Sequence, residues 1–184
     1  MAAARARLRA APIRVFRRSA AGLIVLGVAT AALAAGAAAR TGGRADELLA
    51  ARINAVRATR GARPLVTSPA LARAAAAHAR SMSKLGYFAH EDRDGTAFSR
   101  RITRFYPLGP FRRWRVGEDL YWSPGAATAA TIVQAWLHSP PHARVLFDAW
   151  RQVGVAVVTA RQAPGVFGGR DVTVVVADFG LRVP

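Results

Sequence analysis

Two histidines and a glutamate stand where a side chain can be turned toward a ligand. They are His90 in YFAHEDRDG (Tyr87 to Gly95), Glu118 in VGEDL, and His142 in HSPPHARVLF. His90 follows an aromatic pair and precedes four charges closed by glycine, a composition that suits neither a strand nor a helix interior. His142 comes just after Ser139-Pro140, where a helix starts, and Glu118 sits beside a glycine at the edge of an extended segment. Two imidazoles and a carboxylate from separate segments can bind zinc or another divalent cation and leave a coordination position open. Without metal the same three can form a hydrogen-bonded acid–base group. Spacing alone does not decide between these, or between either of them and chance.

The other candidates read as structural. His78 is in register with Ala74, Ala75 and Met82 on an apolar helix face, where a hydrogen-bonded core histidine is expected. His138, at a helix end, is expected at the surface. Ser123 and Ser139 each precede a proline and read as helix caps, so no residue stands out as a nucleophile. The chain has no cysteine, which excludes disulfides, thiolate metal sites and a cysteine nucleophile.

The elements that must position these residues are legible in outline. Asp46 and Glu47 open a helix with Leu49, Ile53 and Val56 on one stripe, and Gly61 stops it. ARPLVTSP is extended, Ser68 caps a second helix to about Leu85, and its run of alanines requires a very close neighbour. A short helix is expected near Ala97–Phe105, and RWRVGEDLYW reads as extended. Ser123-Pro124 is expected to cap a third long helix, and Ser139-Pro140 a short fourth. QVGVAVVTA and DVTVVVADFG are apolar on both faces, as strands covered on two sides are, with glycine pairs forming a hairpin loop between them. Helices first and strands last, without a βαβ repeat, indicate an α+β fold with a central sheet sandwiched by helices.

The 184 residues carry a net charge of +17, which raises the question of nucleic acid. Eight of the 27 basic residues and no acid precede Asp46, and the remaining arginines are scattered except for Arg112, Arg113 and Arg115. No helix-turn-helix, RNA-binding or aromatic-basic pattern accompanies them, so no specific nucleic-acid partner is expected. Residues 1–18 hold six arginines, and Ser19–Ala39 are 21 residues without a charge. Residues 1–39 therefore read as a signal peptide ending in Ala37-Ala38-Ala39, or as an anchor that spans a membrane through residues 19–39 if uncleaved. Residues 40–44 read as a linker and 45–184 as the folded domain, working outside the cytoplasm.

Five segments in order resemble the CAP superfamily, the cysteine-rich secretory, antigen 5 and pathogenesis-related proteins, in its bacterial single-domain SCP-like branch. They are LLAARINAVRATRGARPL, LARAAAAHARSMSKLGYFAH, GEDL, AWLHSPPHARVLF, and the closing VGVAVV and VADFG. The resemblance implies a three-layer α-β-α sandwich whose exposed cleft is lined by His90, Glu118 and His142, able to hold zinc or another divalent cation. Where better-known members place a second glutamate this chain has Ser139, which leaves a carboxylate pair for hydrolysis incomplete. Asp119 replaces the asparagine that follows the cleft glutamate, and either strengthens a cation's hold or faces solvent. The function implied is a non-enzymatic, exported, monomeric module of the cell envelope that binds a lipid or other apolar molecule. The alternative is a zinc-dependent hydrolase of peptide or cell-wall substrates. Trp114, Tyr121 and Trp122 flank Glu118 and either wall the cleft or complete the core.

Overall fold

The alanine run of the second helix finds its close neighbour in the sheet. Helix α2 (Pro69–Leu85) lies on strand β3 (Gln152–Ala163) at Gly154, where an added Cβ would come within 2.0 Å of the Ala72 nitrogen. Ser68 caps the helix by accepting from the Leu71 N–H at 3.4 Å, and Gly86 ends it in the left-handed conformation with φ 72°. The computed structural model describes residues 43–184. The signal or anchor expected over residues 1–39 lies outside them. Among the described residues no helix is long and apolar enough to cross a membrane.

Helix α1 occupies residues 43–58, so Gly43 and Arg44, expected in the linker, are helical. Strand β1 (Val66–Thr67), α2 and the short helix α3 (Phe98–Thr103) follow. Next come β2 (Arg113–Pro124), α4 (Ala129–Leu137), α5 (Pro140–Phe147), β3, a single 3-10 turn and β4 (Arg170–Val183). The sheet order is β1-β3-β4-β2, with β1 parallel to β3 and the other pairs antiparallel. The described residues all belong to one compact unit.

Alternation along the strands sends side chains to two cores. On one face Val175, Ala177 and Phe179 of β4 meet Leu49 and Ile53 of α1 and Trp136 of α4. On the other, Val172, Val174 and Val176 meet Ala75, Ala79 and Met82 of α2. Both faces are covered, as the doubly apolar strands require, and the three layers are helix, sheet and helix. Burial of each large side chain contributes about 1.5–3 kcal/mol.

One expected boundary is wrong. Ser123-Pro124 does not cap α4, because both residues still pair in β2, opposite Thr173 and Val172 of β4. The chain turns at Gly125, whose φ is 67°, and Thr128 is the cap, accepting from the Thr131 N–H at 3.1 Å.

Two residues of the opening helix tie α1 to the rest of the domain. Asn54 donates to the Leu65 carbonyl at 2.9 Å and accepts from the Leu65 N–H at 2.8 Å. Arg57 is 1% exposed and donates to the carbonyls of Arg63, Leu146 and Asp148 at 3.0, 2.6 and 3.0 Å. These bonds satisfy carbonyls at the ends of segments, where the regular backbone ladder stops.

Candidate functional site

The site forms at the outer edge of the sheet, because β2 has β4 on one side and no strand on the other. Helix α3 and the loop after α2 approach β2 from one face, and α5 approaches it from the opposite face. The free edge is partly capped by Trp136, whose indole N–H donates to the Leu120 carbonyl at 2.9 Å. Such capping discourages pairing with another strand.

Glu118 projects from β2 toward α3 and is 4% exposed. One carboxylate oxygen accepts from His90 Nδ1 at 2.8 Å and the other accepts from the Arg101 guanidinium of α3. Arg101 also reaches Asp92 through Nε at 3.3 Å, and Asp92 lies 3.2 Å from His78 Nδ1. His78 Nε2 is 2.9 Å from the Ala89 carbonyl, which agrees with a hydrogen-bonded core role, although its other nitrogen joins the charged chain. Asp178 stands opposite Glu118 on β4, completely buried, and its 3.9 Å approach to Arg101 is too long for a hydrogen bond.

These contacts set the protonation states. Burial alone would raise the pKa of Glu118, but His90 and Arg101 outweigh it and hold the acid below its ordinary value. The hydrogen bond to Glu118 raises His90 against the opposing effect of its burial. Burial, and then Glu118 beside it, push the pKa of Asp178 well above its ordinary value. Burial, and then the Arg101 charge, lower the pKa of His78.

His142 stands at the start of α5 and shares a 2.7 Å hydrogen bond through Nδ1 with the Ser139 hydroxyl. Ser139 occupies the cap position of α5 without making the side-chain cap bond expected of it, because its hydroxyl is turned to His142. Partial burial and then the charge of His90 lower the pKa of His142. The two imidazoles are held alike. Each is tied through Nδ1, and neither Nε2 has a hydrogen-bond partner among the described residues. His90 keeps 44% of its side chain exposed, while the Glu118 side chain has none. Among the described residues no three His, Cys, Asp or Glu side chains are arranged to hold a metal ion.

Asp119 does not face solvent. It points to the opposite face of the sheet from Glu118, is fully buried, and neither carboxylate oxygen has a hydrogen-bond partner. Burial and then Glu118 raise its pKa to about 8. At neutral pH it is largely protonated and adds little charge.

The aromatic residues around Glu118 complete the core. Trp114 packs beside Tyr106 and donates to its carbonyl at 2.8 Å, Tyr121 packs under α4 and α5, and Trp122 sits edge-on to Phe88 and Phe167. His138 is exposed at the end of α4, as expected, with Nδ1 2.7 Å from the Gln134 carbonyl.

Arg101, Asp92 and Asp178 were not visible as site residues in the sequence. Arg101 is one of two adjacent arginines in an arginine-rich chain. Asp178 did leave a signal, as a lone charge within the apolar run VTVVVADFG.

Three solved structures share the fold. One is an extracellular protein containing an SCP domain from Bacillus anthracis (TM-score 0.57, 19% identity), covering 75% of this chain and 40% of that one. The second is an outer surface protein from Borrelia burgdorferi (0.54, 22%), covering 74% and 91%. The third is a cysteine-rich secretory protein from Staphylococcus aureus (0.52, 14%), covering 74% and 38%. The chain thus spans well under half of the Bacillus and Staphylococcus proteins. No curated protein matches it in sequence. A model of the cysteine-rich secretory protein family, CAP, matches residues 50–179, and the chain belongs to that family.

Proposed function

We propose that the domain acts outside the cytoplasm as a ligand-binding module of the cell envelope, and that the groove along the free edge of β2 is its binding site. One observation carries this reading: a fully buried Glu118, paired with buried Arg101, fixes a half-exposed His90. Buried ion pairs are weak contributors to stability, and replacing them with apolar residues often stabilises a protein. Their use to orient one exposed ring speaks for a task at that ring. Extracytoplasmic placement is supported by the basic, uncharged-core N-terminal sequence and by the surface and extracellular descriptions of the similar proteins. The packing of Trp114, Tyr121 and Trp122 leaves the rims of the two imidazoles as the chemical features of the groove.

A divalent cation such as zinc would be a guest of two imidazoles here. His90 and His142 would hold it through Nε2, and Glu118 would orient His90 without ligating, since both its oxygens are taken. When bound, the ion would supply a Lewis acid with open positions. The domain itself supplies the hydrogen bond that orients His90, the Ser139 contact that orients His142, and a buried Asp178 of raised pKa beside the carboxylate.

Native mass spectrometry of residues 38–184 exposed to an envelope lipid extract tests the reading. A one-to-one adduct lost in His90→Ala and His142→Ala is the result expected. Adducts of equal abundance in both variants would rule the groove out as the site. A zinc-dependent hydrolase of peptide or cell-wall material is the second reading, favoured by the opposite pKa shifts of His90 and His142, the pattern of an acid paired with a base. Turnover of muropeptides with added zinc, abolished by His90→Ala, would establish it.

A further inference from the structure

The fold gathers arginines that are far apart in sequence around one cavity, away from the histidine groove. The cavity, of about 490 Å³, lies at the far end of α5 from His142. Arg63 from the α1–β1 connection, Arg113 from the start of β2 and Arg151 from the start of β3 line it. All three are exposed, and none makes a side-chain hydrogen bond or ion pair among the described residues. The fourth lining arginine, Arg57, spends its donors on backbone carbonyls, but its charge remains.

Asp148 is the one acid in the lining, and it is already neutralised. One of its oxygens accepts from Arg115 at 2.8 Å and from the Ala149 N–H at 2.6 Å. Three guanidinium groups thus face one space without a counter-charge. The apolar part of the lining is Leu181 and Val183, beside Phe147, which Arg60 covers on one face, and Trp150, which lies between Phe179 and Arg115. A second depression shares Phe147 and Asp148 and adds Arg60 and Arg144, extending the basic rim.

We propose that this cavity binds a small amphiphilic anion: a phosphate or carboxylate group clasped by Arg63, Arg113 and Arg151, joined to an apolar body lying on Leu181 and Val183. Guanidinium groups suit such anions because their forked donors match two oxygens at once. The volume falls in the range of small-molecule pockets, and the depression is open to solvent. The apolar part of the lining distinguishes the ligand from a free inorganic ion. This site is independent of the histidine groove, and the two can fail separately.

Calorimetric titration of residues 38–184 with octyl phosphate, kept below its micelle threshold, tests the proposal. Inorganic phosphate and octyl glucoside supply the head and the tail alone. One-to-one binding of octyl phosphate at least tenfold tighter than either control is expected. The Arg63→Glu/Arg151→Glu pair, and separately Arg113→Ala, should weaken it at least tenfold. Arg80→Glu/Arg161→Glu, exposed arginines outside the cavity, should change it less than twofold. Absence of octyl phosphate binding would overturn the proposal, as would equal weakening by the control pair. So would recruitment to phosphatidylglycerol vesicles without binding of octyl phosphate, which would make the basic rim a membrane contact.

Discussion

At the scale of the residue, buried carboxylates decide how the domain responds to pH. Asp119 has a folded pKa of about 8, far above that of an unfolded chain. Its contribution to stability is complete at acid pH, declines as pH rises through the unfolded value near 4, and is lost by about pH 8. Asp119→Asn removes the ionisable group and keeps the shape. Urea unfolding at pH 8 is expected to show the variant more stable than the wild type by about 2–5 kcal/mol, with the gap closing toward pH 4. An equal difference at both pH values would mean that Asp119 is not held protonated. Arg101→Met leaves Glu118 buried without its cation and is expected to cost about 3–5 kcal/mol in the same assay. His90 and Glu118 were legible because each sits at a break in local pattern beside glycine or an aromatic pair. Arg101 was not, because its partners arrive from segments that only folding brings near.

At the scale of the element, the fit of α2 on β3 is the tightest constraint in the domain. Gly154 has no room for a side chain, and the alanines of α2 let the helix approach that closely. Gly154→Ala forces the helix off the sheet and is expected to cost about 4 kcal/mol or more, read as a loss of the cooperative thermal transition. A stable, cooperative variant would contradict the packing described. The alanine run announced that some surface must come close, but not which one, since a helix carries no record of its partner. The cap at Ser123 misled for a related reason. Ser-Pro is a sound local signal for a helix start, yet pairing of β2 with β4 extends through Pro124 and overrides it.

At the scale of the whole molecule, the order of helices before strands already implied the α+β class. The sheet order β1-β3-β4-β2 was beyond the sequence pattern, because adjacency of β2 to β4 depends on long-range pairing. That order makes β2 an edge strand with α3 on one face and α5 on the other, which is how the proposed site draws His90 and His142 from opposite sides of one strand. The net charge of +17 divides the same way. Arg63 and Arg151 looked scattered along the chain, Arg113 belonged to a short basic cluster, and the three meet only in three dimensions. The extracytoplasmic placement proposed above rests on the N-terminal sequence: residues 1–44 fused to alkaline phosphatase are expected to give activity in a bacterial host, and a silent fusion would argue against that placement.

The most direct test of the groove is a histidine side-chain NMR titration of the domain. His90 is expected to titrate above the ordinary histidine value and to fall toward or below it in Glu118→Gln. His142 is expected to titrate below that value, and to move upward in His90→Ala. If His90 titrates normally and ignores Glu118→Gln, or His142 ignores His90→Ala, the two rings do not share the groove and the functional account fails.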